Sequence, residues 1–269
     1  MPEGHTVHRT ANSFNEHFAG KSVLVDSPQG RFSDGAELVS GRKLVIASAI
    51  GKQLFLRFEG ELFVRIHLGI YGKWRWYEGE GLARALGNPV VGEVRARFYN
   101  TTSMADLRGP TVCDVIFAEE MAAVLNRLGP DPLNPDPQKI EAERFFGRVL
   151  RSAQPIGGLL MDQSVISGIG NVYRAELLFR AGIDPYLPGN RLNREQLSSL
   201  WKDSVALLNV GVATGFMITR EELFESDPEK AERNFVYKRE GQACRVCGTN
   251  ISLAIMQGRK LYWCAGCQR

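Results

Sequence analysis

The chain has 269 residues, 44% hydrophobic and 23% charged, an ordinary globular composition with length enough for two domains. No apolar run approaches the ~18–20 residues that cross a bilayer, and the polar start carries no secretory signal, so a membrane protein is not expected and a cytoplasmic location is. The net charge of +3 is unevenly spread: residues 230–269 hold eight Lys/Arg against two Asp/Glu, net +6, and the other 229 are net −3, which points to a local phosphate-binding surface, with a solvated basic tail as the alternative.

The chain opens Met1-Pro2-Glu3-Gly4-His5-Thr6. Removal of Met1 leaves a free secondary amine on Pro2. An α-amino group is neutral about a tenth of the time at pH 7, a lysine less than about one time in a thousand, so this nitrogen is the better nucleophile. Val7, Ala11, Phe14 and Phe18 recur at helical spacing and Gly20 follows, so a helix is expected to begin at Pro2. Its positive end disfavours an ammonium there. Glu3 is placed to act as a general acid or base. The plain alternative is that proline and glutamate simply make a good first helical turn.

Short segments rich in β-branched and aromatic residues follow at 44–50, 53–58, 61–68, 73–77, 94–99 and 112–117, separated by glycine or polar turns. Lys52 follows Gly51 at one such turn. His67 ends an apolar strand, and Cys113 reads as a small buried hydrophobe. A proline-dense stretch at 128–137 admits no helix. Helical patterns then appear near 140–151, 156–163, 171–181 and 194–212, the last with Leu197, Leu200, Trp201, Leu208 and Val212 on one stripe. Gly168-Ile-Gly170-Asn171 precedes the third of these, where backbone N–H groups could cradle a phosphate.

At the C-terminus, Cys244-x-x-Cys247 and Cys264-x-x-Cys267 stand sixteen residues apart, the spacing of a four-cysteine zinc site. Four thiolates leave zinc no open position, so the metal is structural. Two disulfides are the alternative, disfavoured in a reducing compartment. The intervening residues 251–263 read as a hairpin turning at Gly258, with basic Arg259 at its tip, suited to reading a DNA groove or clamping phosphate.

Taken together, Pro2-Glu3-Gly4, Gly51-Lys52-Gln53-Leu54-Phe55, His67-Leu68-Gly69, Gly168-Ile169-Gly170-Asn171-Val172-Tyr173 and the Gln257-Gly258-Arg259 finger resemble the Fpg/Nei family of DNA glycosylases over essentially the whole chain. Gly4-His5-Thr6 is similar to the endonuclease VIII (Nei) branch, particularly its actinobacterial forms; the Fpg continuation Pro-Glu-Leu-Pro-Glu-Val is absent. The resemblance implies an α+β fold of two domains, an N-terminal β-sandwich with flanking helices and a C-terminal helix–two-turn–helix domain with a four-cysteine zinc-finger hairpin, with DNA in the cleft between them. The expected boundaries are 1–130, a linker at 131–138, 139–235 and a finger at 236–269.

It also implies a monomeric, nucleoid-associated repair enzyme for double-stranded DNA containing oxidised bases or abasic sites. Pro2 attacks C1′, displaces the base and forms an iminium that drives strand cleavage by elimination. Glu3 is the implied catalytic carboxylate, Lys52 and Arg259 assist catalysis at phosphates, and Glu176 lies near the amine. His67, Asn171 and Gly170 match phosphate-gripping positions. Ile70 and Tyr71 match the wedge that fills the hole left by an everted base. Arg108 matches the Fpg arginine facing the orphaned base, although Pro110 stands where the Fpg pattern has phenylalanine. Tyr237 is expected at the DNA backbone, and 213–235 is the expected base-pocket loop. Oxidised pyrimidines are the expected substrates. An Fpg-like purine enzyme, a non-catalytic DNA-binding module and a small-molecule enzyme with a zinc ribbon remain as alternatives.

Overall fold

A computed structural model describes residues 2–269; Met1, whose removal frees the Pro2 nitrogen, lies outside them. Backbone contacts divide the chain into two compact units, one of Pro2 and Thr6–Asn126, the other of Glu3–His5 and Arg127–Arg269. The break thus precedes the boundary expected at 130. Gly129 and Pro130 are already buried in the second unit, where Gly129 N donates to Gln163 O at 2.7 Å and Ser167 N to Pro130 O at 2.8 Å.

The first unit runs α1 (Gly4–Phe18), β1 (Leu24–Asp26), α2 (Ser33–Val39), β2 (Leu44–Ile50), β3 (Gln53–Phe58), β4 (Leu62–His67), β5 (Lys73–Glu78), α3 (Gly79–Gly87), β6 (Ala96–Tyr99), β7 (Ser103–Arg108), β8 (Val112–Ile116) and α4 (Ala118–Leu125). Its strands form two antiparallel sheets, ordered β1-β6-β7-β5 and β2-β3-β4-β8. Strand alternation decides which residues meet between them. Leu54, Leu56 and Phe58 of β3 join Val64, Ile66, Phe98 and Leu107 in one core with Phe14 and Phe18 of α1, while Phe55, Phe63 and Ile116 lie in a separate cluster against Met121, Val124 and Leu125 of α4. The expected strands are present with ends shifted by a residue or two. Helix α1 starts at Gly4 rather than Pro2, because Gly4 N donates to Gly168 O at 2.8 Å.

Strand β7 was not anticipated. Its Asp106 is wholly buried, which breaks the apolar alternation of a core strand. The neighbouring strand answers that charge: Arg97 Nε and Nη2 donate to the two Asp106 oxygens at 2.8 and 3.0 Å, a bidentate pair.

The second unit runs α5 (Ile140–Leu150), α6 (Ile156–Leu159), α7 (Asn171–Arg180), α8 (Arg194–Thr214) and a hairpin of β9 (Ser252–Met256) and β10 (Arg259–Trp263). Phe145, Leu159, Tyr173, Leu177, Leu197, Leu200, Trp201 and Leu208 share its core. Helix α6 stops well short of the expected 163: Met161 N and Asp162 N bond only three residues back, to Gly158 O and Leu159 O, and Asp162 Oδ1 then accepts from Ser164 N and Oγ in a further turn. The hairpin turns on Gln257 and Gly258, at φ 50° and 70°, with Met256 paired to Arg259. Two successive left-handed residues suit the twist of a tight hairpin. Among the described residues no helix is long and apolar enough to cross a membrane.

Candidate active site and metal centre

Helix α7 is buried on every side, Asn171 to Phe179 without exception. Such a helix cannot leave its first N–H groups to solvent, and Glu3 answers them. The Glu3 carboxylate, itself fully buried, accepts from Gly170 N and Val172 N at 2.8 Å each and from Tyr173 N at 3.4 Å. The helix dipole adds to this stabilisation of negative charge. A Cβ on Gly170 would lie 2.5 Å from the Glu3 carboxyl carbon, and one on Gly4 would lie 2.9 Å from Gly168 Cα. The glycines of the two motifs are therefore needed for the N-terminal residues to seat. At the start of α7 the Gly170 N–H is thus given to the chain's own carboxylate.

Asn171 is likewise engaged internally. Its Nδ2 donates to Lys260 O of β10 at 2.9 Å, and its Oδ1 accepts from Arg174. Arg174 is fully buried, with Nη2 donating also to Lys260 O at 3.1 Å and Nη1 reaching Gly157 O at 3.5 Å. Burial pulls its guanidinium down to about 10, with Glu3 opposing and nearby Arg259 adding to the fall. Tyr237 meets Tyr262 edge-on, ring centroids 5.2 Å apart. Its phenol is raised first by burial and then by Glu3, against a hydrogen bond with Asn171.

Glu176 lies on the same helix. Its carboxylate is fully buried and taken up on both oxygens: Oε2 by Thr219 Oγ1 at 2.5 Å and Phe235 N at 2.8 Å, Oε1 by Val236 N at 2.9 Å and Tyr237 N at 2.8 Å. It ties Thr219 and the 235–237 segment that leads into the finger to α7. Arg180, one turn on, pairs with Asp203 and Glu221. A glutamine at 176 would face two of these four donors with an NH2 group. Glu176→Gln is expected to cost about 2 kcal/mol, lowering the thermal midpoint by roughly 5 °C; an unchanged midpoint in calorimetry would contradict this assignment.

In the first unit, Lys52 sits in the β2–β3 turn and His67 at the end of β4, opposite Gln53. His67 is held below its ordinary pKa, chiefly by burial and then by Lys52 and Arg65. At pH 7 it is a neutral imidazole beside two cations, able to donate one N–H to an anion that they attract. Beyond it, Ile70 and Tyr71 stand out at 44% and 83% exposure, an apolar tip with no core to join. Arg108 donates to Val91 O at 2.8 Å and lies 3.5 Å from Asp106. Both contacts lie within its own unit. Cys113 packs against the sandwich core, and burial pushes its thiol up to about 12. Iodoacetamide at about pH 8 should leave it intact in the native protein, since only the thiolate reacts; peptide mapping that finds it alkylated would reject this.

The four finger cysteines converge. Their sulfurs all lie within 4.8 Å of one another, with Cys244 to Cys267 at 3.8 Å and Cys247 to Cys264 at 3.4 Å. These separations are too long for disulfide bonds, which need about 2.05 Å. They match the edges of a thiolate tetrahedron around a metal ion at about 2.3 Å, which are about 3.8 Å.

Comparison with known proteins agrees with this geometry. The formamidopyrimidine-DNA glycosylase N-terminal domain matches residues 1–112, and the H2TH domain of the same glycosylase matches residues 128–222. The chain belongs to the formamidopyrimidine-DNA glycosylase family. It is 45% identical to Endonuclease 8 1 of Mycobacterium tuberculosis, with all of both chains covered. To Endonuclease 8 2 of Mycobacterium bovis it is 32% identical, again over the whole of each. It therefore stands on the endonuclease 8 branch. The fold matches the Lactococcus lactis Fpg in a complex with abasic-site DNA, at a TM-score of 0.81 and 20% identity over 99% of each chain.

Within this glycosylase frame, the residue that sequence reasoning missed is Arg174. Nothing in the sequence of α7, which carries Asn171, Arg174, Glu176 and Arg180 in ten residues, singles it out.

Proposed function

We propose that Pro2 is the nucleophile with which this DNA glycosylase and AP lyase of base excision repair removes oxidised bases, chiefly pyrimidines, from double-stranded DNA and then cleaves the abasic strand. The observation that carries the reading is the Glu3 carboxylate, clamped by three backbone N–H groups one residue from the Pro2 nitrogen.

The Pro2 lone pair attacks C1′, and the glycosidic bond breaks with its electrons leaving on the base. Glu3 takes the proton from the amine and relays it to O4′ as the sugar opens to an iminium. The iminium acidifies the C2′ proton. Its loss expels the 3′ phosphate, a second elimination expels the 5′ phosphate, and water frees Pro2. Lys52, neutral His67 and Arg259 hold phosphates, Tyr237 contacts the DNA backbone, and Ile70 with Tyr71 fills the space of the everted base. Zinc is the metal that best suits four thiolates in a closed tetrahedron; it holds the finger and takes no part in the chemistry. The enzyme acts as a monomer on the nucleoid in the cytoplasm.

Borohydride trapping on a lesion panel tests the reading. The adduct should map to Pro2 and form faster with thymine glycol or dihydrouracil than with 8-oxoguanine. Faster trapping on 8-oxoguanine would favour the purine enzyme, and binding without any adduct would favour a non-catalytic module.

A further inference from the structure

Arg174 has no part in the chemistry proposed above, yet it is a fully buried cation in the middle of α7. Burying a charge is costly unless it is paired and hydrogen-bonded. Among the described residues its Nε meets no acceptor, while its two other nitrogens reach Gly157 O at the start of α6, Asn171 Oδ1 on α7 and Lys260 O on β10. A lysine or methionine could fill most of the same volume but could not bridge three carbonyls at once. The third of those carbonyls belongs to the residue directly after Arg259, at the hairpin's tip. Asn171 donates to that same carbonyl at 2.9 Å. Tyr262 of β10 packs with Ala175 and Phe179 of α7, and the two bonds to Lys260 O add a directional register next to Arg259, at the end of the strand that faces the helix seating Glu3.

We infer that Arg174 is a positioning residue: by gripping the Lys260 carbonyl it fixes where Arg259 stands relative to the start of α7, and so sets the phosphate contact made by the hairpin. This rests on the DNA-binding reading of Arg259. The side chain touches neither DNA nor the reacting atoms. Its effect must therefore pass through Arg259 and vanish when Arg259 is gone.

The test is a double-mutant cycle on duplex DNA containing a tetrahydrofuran abasic analogue, binding measured across a salt series. Arg174→Lys keeps the charge and loses the fork. It should weaken binding about tenfold and lower the salt slope by about 0.9, the value of one phosphate contact. In the Arg259→Ala background it should do nothing further. Bound metal per chain and the thermal midpoint are read alongside. Equal losses in both backgrounds overturn the inference, as does unchanged binding, or loss of the metal or the fold in Arg174→Lys. If Arg259→Ala alone binds as the parent does, the DNA-binding reading of the hairpin falls and takes the inference with it; additive losses sink the inference alone.

Discussion

With a removable leader left in place ahead of Pro2, the protein is expected to bind abasic-site DNA but neither to cleave it nor to be trapped by borohydride. Cutting the leader back to Pro2 should restore both. In the extended form the nitrogen is an amide, and its lone pair is delocalised into the carbonyl. The amines that remain are the leader's own terminus, displaced by the length of the leader, and lysines, neutral less than about one time in a thousand at pH 7 against about one in ten for a free terminal amine, so any substitute chemistry by lysine should be about 100-fold slower or worse. Gel analysis of strand cleavage, with binding measured on the same samples, decides the matter. Equal cleavage by the extended and trimmed forms would mean that another group is the nucleophile. Pro2→Gly supplies a second check. It keeps a terminal amine, but a primary and more flexible one, so cleavage should fall without loss of binding.

The second large effect is expected at Gly170. Its φ of −127° and ψ of −158° are open to any L residue, so alanine there strains no backbone. Its Cβ would nonetheless fall 2.5 Å from the Glu3 carboxyl carbon. Gly170→Ala should therefore dislodge the carboxylate and lower base excision by about 100- to 10,000-fold, the range of a general acid–base group. Glu3→Gln should do the same, and the two together no more than either alone. Single-turnover excision with circular dichroism as the folding control measures this. A Gly170→Ala protein that excises at the parent rate would show that the seat of Glu3 does not matter to the reaction.

Strands β2 to β5, helices α5, α7 and α8, and the four-cysteine tetrahedron were legible because each is a local pattern: alternation, a helical repeat, paired Cys-x-x-Cys turns. What escaped depends on partners far along the chain. Strand β7 was hidden by Asp106, whose partner Arg97 lies on the next strand. Gly168-Ile169-Gly170-Asn171 looks like a phosphate cradle in any sequence window, and only Glu3, donated from the other end of the chain, reveals what occupies it. The internal partners of Glu176 and Arg174 likewise lie far along the chain, at 219–237 and at 157 and 260. A helix enclosed on all sides has no polar face, and so no periodic signal that would distinguish a buried charge from a solvated one.

The seat of Glu3 also orders events during synthesis. Its three amide donors lie at Gly170, Val172 and Tyr173, so nothing in the first 169 residues can complete it. A ribosome that has delivered only the sandwich holds a chain in which Glu3 is present but unseated. The loop to be closed is long, and contacts of such separation form late in folding. The carboxylate is thus fixed in place only once α7 has emerged and formed.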